Sequence, residues 1–176
     1  DCGTDCSESF VAGTVVTLTT TVDTGSTFTG WSGACTGMGD CILTMDAAKS
    51  VTATFTLEQR QLDVTLAGNG SGSVNSTPAG IACPGDCSEL FDYGTVVTLT
   101  ATADTGSTFV GWTGASCSGT GTCVITMDAA KSVTATFTQE QHPLDVTLTG
   151  NGSGSVSSAP AGIACPGDCN ELFNYG

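Results

Sequence analysis

The chain states one pattern twice, and that repetition limits what it can fold into. Asp23-Thr-Gly-Ser-Thr-Phe28-Thr-Gly-Trp31 returns as Asp104-Thr-Gly-Ser-Thr-Phe109-Val-Gly-Trp112. The run Thr44–Phe55 returns unchanged as Thr126–Phe137. The offset is 81 residues between Asp23 and Asp104 and 82 between Thr44 and Thr126, so Ser116 is a single inserted residue. Tandem copies of this kind fold as repeats of one module, and such arrays do mechanical or binding work more often than chemistry.

A module of this size buries only about 60% of its unfolded surface, so its core is marginal and staples are expected. The chain has 10 cysteines, each with a near neighbour: Cys2/Cys6, Cys35/Cys41, Cys83/Cys87, Cys117/Cys123 and Cys165/Cys169. An even count in close pairs reads as disulfides made in an oxidising compartment. Pairing within each motif leaves no orphan. Pairing between the two motif types would leave Cys165 and Cys169 without a Cys-x5-Cys partner, so local pairing is favoured. A four-cysteine zinc site is the rival, but the spacing departs from Cys-x2-Cys and exported thiols oxidise.

Formal charge is −14, with Lys49, Arg60 and Lys131 as the only basic side chains. Nucleic acid and anionic membrane surfaces are disfavoured partners for such a chain. The charge also keeps repeated units soluble. No apolar run reaches the roughly 18 residues of a spanning helix, so membrane insertion is not expected. No signal peptide is visible, and Asp1 reads as a mature or trimmed start.

The segments read as strands. Val97, Leu99 and Ala101 share one face, as do Val133, Ala135 and Phe137, with threonines between them. Leu62-Asp-Val64-Thr-Leu66 and Leu144-Asp-Val146-Thr-Leu148 follow the same rule. Turn chemistry lies at Gly68–Gly72, Ser76–Gly80 and Asp46–Lys49, and the first of these reads as a hairpin joining two strands. The expected fold is all-β: tandem small antiparallel sheet modules, disulfide-stapled, with a period of 81–82 residues. Residues 1–56 are expected to form an incomplete unit lacking its first hairpin, 57–61 a linker and 62–138 a complete unit. Residues 139–143 are then a second linker and 144–176 the first part of a further unit. On this reading the two end pieces expose unpaired edges. A window of a longer array, or strand addition between subunits in an open fibre, would resolve them.

These motifs occur in a set order. Leu62-Asp-Val64-Thr-Leu66-Ala-Gly68-Asn-Gly-Ser-Gly72-Ser-Val74 comes first, then Pro78-Ala-Gly-Ile-Ala-Cys83 with Cys87. Gly94-Thr-Val-Val97-Thr-Leu99-Thr, Phe109-Val-Gly-Trp112-Thr-Gly114 and Met127–Phe137 follow. Together they resemble the divergent internalin-type B-repeat family of bacterial surface proteins. The resemblance implies compact all-β modules of β-grasp-like character in large exported proteins, and no catalytic residues. It also implies work as spacers, stalks, adhesive segments or accessory domains of secreted hydrolases.

Two repeated constellations are candidate sites. Asp-Cys-Ser/Asn-Glu occurs at Asp5/Glu8, Asp86/Glu89 and Asp168/Glu171. Asp and Glu beside carbonyls suit calcium, which takes six to eight oxygens, so these pairs are its candidates. Two side chains are too few unless Asp23/Asp104 or Asp46/Asp128 approach. The plainer reading is a turn-capping Asp and a solvated Glu. As a glycosidase pair they would make little sense repeated in tandem. Trp31 and Trp112 are candidate sugar platforms, but Trp beside glycine in a small sheet serves more often as core, with Gly30 and Gly111 as bulges turning it inward. His142 is the only histidine and lies in a linker, so it builds no triad. Lys49 and Lys131 read as exposed turn residues rather than isopeptide donors. Asn69, Asn75 and Asn151 head glycosylation sequons.

The chain is therefore expected to be a non-catalytic, extracellular or cell-surface structural repeat protein of a filament or stalk, with further copies or repeats as partners. No cofactor is expected beyond calcium. The alternative is an adhesin or carbohydrate-binding accessory module whose partner is a surface glycan.

Overall fold

The computed structural model describes Gly3 and residues 5–176. The expected Cys2–Cys6 pairing therefore lies outside the described residues. Contacts divide the chain into two units. The first runs to Gln59 and includes Asp92–Gly94; the second is Arg60–Phe91 with Thr95–Gly176.

The first unit holds four strands: β1 (Val15–Leu18), β2 (Ser26–Gly33), β3 (Cys41–Thr44) and β4 (Val51–Leu57). Strand β1 pairs antiparallel with β3, setting Val16 opposite Leu43. Strand β2 pairs antiparallel with β4, setting Phe28 opposite Phe55 and Trp31 opposite Ala53. Alternating Thr and apolar residues suit such half-buried pleated strands. The turn between β3 and β4 is tied by an ion pair from Lys49 to Asp46 at 2.9 Å.

The second unit contains a complete module of two four-stranded sheets. Its strands are β5 (Gln59–Gly68), β6 (Gly72–Thr77), β7 (Ala82–Cys83), β8 (Ser88–Asp92), β9 (Val96–Ala103), β10 (Ser107–Thr113), β11 (Cys123–Thr126) and β12 (Lys131–Gln139). One sheet has the order β10-β12-β5-β8, the other β11-β9-β6-β7. A single core joins them: Leu62, Val64, Trp112, Val133, Ala135 and Phe137 from the first sheet meet Val74, Val97, Leu99 and Ile125 from the second. This is sandwich packing of two inner faces. Fully burying each large apolar side chain contributes about 1.5–3 kcal/mol.

Two features depart from the expected pattern. First, most pairs are antiparallel, but β12 and β5 run parallel, with Val133 opposite Val64 and Phe137 opposite Gly68. Second, Gly68–Gly72 is not a hairpin. The strands on its two sides enter different sheets, so the segment is an arch over the core edge. Its glycines are needed because β12 passes so close. A Cβ on Gly68 would meet the Phe137 carbonyl, one on Gly70 the Thr138 backbone, and one on Gly72 the Phe137 ring. The described residues contain no helix, so the β-grasp character implied by the resemblance has no grasped helix here.

The polar segments 57–61 and 139–143 are extended rather than loose. Leu57 closes β4 and Gln59 opens β5. Gln139 closes β12 and Gln141 opens β13 (Gln141–Asp145). Strand β13 pairs antiparallel with β16 (Asn170–Asn174), and β14 (Val156–Ser157) with β15 (Ala164–Cys165).

Candidate functional site

The acidic motifs cap their own turns. Asp5 Oδ1 accepts from the Ser7 N–H at 3.3 Å, Asp86 Oδ1 from Ser88 N–H at 3.4 Å and Asp168 Oδ1 from Asn170 N–H at 3.4 Å. The glutamates accept from the next residue: Glu8 from Ser9, Glu89 from Leu90 and Glu171 from Leu172. Asp46 and Asp128 face Lys49 and Lys131 instead. The hydrogen bond from each lysine, with its charge, holds the paired carboxyl below the ordinary 3.8. Among the described residues no three His, Cys, Asp or Glu side chains come together as a metal-holding group.

The tryptophans anchor stapled loops. Disulfides Cys35–Cys41 and Cys117–Cys123 close the loops before β3 and β11, and Cys83–Cys87 and Cys165–Cys169 close the short Pro-Gly turns. A register shift between Phe109 and Gly111 makes the bulge. Gly111 has φ 148°, and a Cβ there would lie 3.0 Å from the Gly119 carbonyl oxygen. Trp112 beyond it is 2% exposed. Its backbone N–H donates to Gly119 and its indole Nε1–H to Gly121, at 2.9 and 2.7 Å. Phe109 packs edge-on against it at 5.1 Å. Trp112 is therefore a core residue, the reading favoured over a sugar platform: its indole is buried against the stapled loop and has no open face for stacking. Trp31 donates from Nε1 to Gly39 at 2.8 Å and is half-buried.

The arrangement that sequence reasoning missed is a tyrosine clip. In the second unit the Glu140 N–H donates to the Gly106 carbonyl at 2.8 Å, and the Glu140 carbonyl accepts from Tyr175 N–H at 2.8 Å. The Tyr175 ring lies over Gly106, which is buried with φ 76°. Gln139 Nε2 donates to the Tyr175 carbonyl at 3.1 Å, and Thr108 Oγ1 to Glu140 Oε1 at 3.2 Å. The His142 ring sits 6.2 Å from that of Tyr175.

The first unit repeats the set. Glu58 N–H donates to Gly25 at 2.8 Å, Tyr93 N–H to Glu58 at 2.7 Å, and the Tyr93 ring lies over buried Gly25. Thr27 Oγ1 donates to Glu58 Oε1 at 3.4 Å. A signal was present: Tyr93-Gly and Tyr175-Gly share the period of Glu58 and Glu140. It was hidden because Asp-Thr-Gly-Ser reads first as an ordinary turn, and Glu-Gln as a linker.

The clip is a backbone ladder through one glutamate, closed by a flat aromatic on a glycine floor. A family model described as "Divergent InlB B-repeat domain" matches residues 3–59 and again 62–141. No curated protein and no solved structure matches the chain. The two matched stretches take in the bulge, the stapled loops and both Gly25 and Gly106, and the chain belongs to the divergent InlB B-repeat domain family.

Proposed function

We propose that the chain is a non-catalytic structural array of an exported bacterial protein, serving as a stalk or filament segment at the cell surface. The observation that carries this reading is the clip, present twice with the same donors and acceptors. In the second unit it fixes the segment after Gln139 to the turn at Gly106, so the step from one repeat to the next is hydrogen-bonded rather than free. A tether made of strand and aromatic packing resists bending where a Gly/Ser linker would not. Four disulfides support export. They also limit how far a module lengthens once it opens.

Pulling the chain from its two ends in an optical trap tests the reading. Discrete unfolding steps, lengthened by prior reduction of the disulfides, are expected. Smooth extension without steps would sink the mechanical role. A saturable change in Trp31 fluorescence on adding a polysaccharide would favour the adhesive alternative.

A further inference from the structure

The complete module opens with β5 at Gln59 and closes with β12 at Gln139. Tension passed along the chain therefore enters at the start of β5 and leaves at the end of β12. These are the two inner strands of the order β10-β12-β5-β8. They run parallel, from Lys131 opposite Leu62 to Phe137 opposite Gly68. In a parallel pair, the start of one strand and the end of the other lie at opposite ends of the ladder. Tension then acts along the strands and loads every rung together. An antiparallel pair loaded in this way would hold both points at one end and open rung by rung. To yield in shear, the pair must slide by about 3.3 Å, the rise of one residue. That slide also drags Val133, Ala135 and Phe137 across the core they share with Leu62 and Val64.

The arch adds a latch where tension leaves. The Gly70 N–H donates to the Phe137 carbonyl at 3.1 Å, and Asn69 Oδ1 accepts from the Gln139 N–H at 3.2 Å. The Asn69 side chain thus stands in for a strand partner beyond the last pair of the ladder. The Phe137 ring is seated where a Cβ on Gly72 would lie, so the arch also blocks its movement.

We infer that β5, β12 and the arch form a shear clamp that sets the force at which the module opens, with Asn69 as its positioning residue. The inference rests on the reading of the chain as a mechanical array and names the part that bears the load. Forced unfolding follows the unfolding rate rather than equilibrium stability, so the clamp is read by force and not by Tm.

Single-molecule pulling of the full, non-reduced chain with two attachments tests it. In the first, the handles sit at the two ends of the chain. In the second, one handle moves to Ala129, exposed in the turn before β12. Ala129 precedes Lys131, whose partner is Leu62 near the start of β5. Tension from there peels β12 from β5 one rung at a time, although the folded contacts are the same. The event that opens the complete module, assigned by its length, is expected at several-fold higher force in the first attachment. Asn69→Ala should lower that force and leave the Ala129 event unchanged, because peeling begins at the far end from the latch. Asn69→Asp keeps an acceptor oxygen and should restore the force. Stepwise unfolding at equal force in both attachments overturns the clamp and leaves the mechanical reading standing. Smooth extension without steps overturns both. An Asn69→Ala chain weakened equally in the two attachments overturns the role given to Asn69.

Discussion

The ring of Tyr175 occupies the space that a Cβ at position 106 would need. Gly106 is also held at φ 76°, where an L-residue costs about 1–2 kcal/mol. Gly106→Ala should therefore lower stability by more than that backbone cost, since it also displaces the ring. In a Tyr175→Ala background the steric part vanishes and only the backbone cost remains. Urea unfolding of the four chains of this cycle gives the coupling, expected at about 1 kcal/mol or more for groups in contact. Additive losses would mean the ring does not pack on Gly106.

Reduction should free the tryptophan loops before it unfolds the sheets. Closing a loop as short as Cys117–Cys123 contributes about 2 kcal/mol by chain entropy. The same loop supplies both acceptors of Trp112, the Gly119 and Gly121 carbonyls. Cys117→Ser with Cys123→Ser is expected to red-shift the Trp112 emission, measured in a Trp31→Phe background, while far-ultraviolet circular dichroism keeps its strand signal. An unshifted emission would show that the bulge alone holds the indole.

The strands and the inward residues were legible in the sequence, because period-two alternation marks a half-buried strand. Val97, Leu99, Val133, Ala135 and Phe137 all lie in the core. Partner choice was not legible. Gly68–Gly72 looks like a hairpin turn by its composition. It is an arch because Phe137, distant in sequence, packs against Gly72 and draws β12 alongside β5. The clip was illegible for a similar reason. A glycine's need for an empty Cβ position depends on what lies above it, and Tyr175 comes from a segment 69 residues after Gly106. The four disulfides of the described residues pair as the spacing of their cysteines suggested. The burial of Trp112 turned on Gly111, a bulge the sequence suggested without naming its wall.

Acid should weaken the β11–β12 turn at a defined place. Lys131 bonds Asp128 at 2.6 Å and holds its carboxyl below 3.8. A carboxyl lowered in the folded state adds stability that is present above its unfolded value and is lost as pH falls through the folded one. Asp128→Asn should thus lower the Tm at neutral pH. The difference from the unsubstituted chain should shrink once the pH falls below 3.8. A gap that persists unchanged into stronger acid would assign the effect to the turn's shape rather than its charge. Asp46→Asn should behave alike, because Lys49 stands in the same relation to it.

Phe55 and Phe137 occupy the same place in the repeat, and both pack on a phenylalanine of the neighbouring strand, Phe28 at 5.3 Å and Phe109 at 5.2 Å. They differ in what covers them. Phe137 has β5 beside it and Gly72 beneath its ring. Phe137→Ala should cost about 3–5 kcal/mol, the range for emptying a well-packed aromatic site. Phe55→Ala removes a ring that water already reaches, so in dilute solution its cost should be far smaller. Chemical unfolding of both variants measures the difference. Equal costs would show that β5 and the arch glycine add nothing to what the neighbouring phenylalanine supplies.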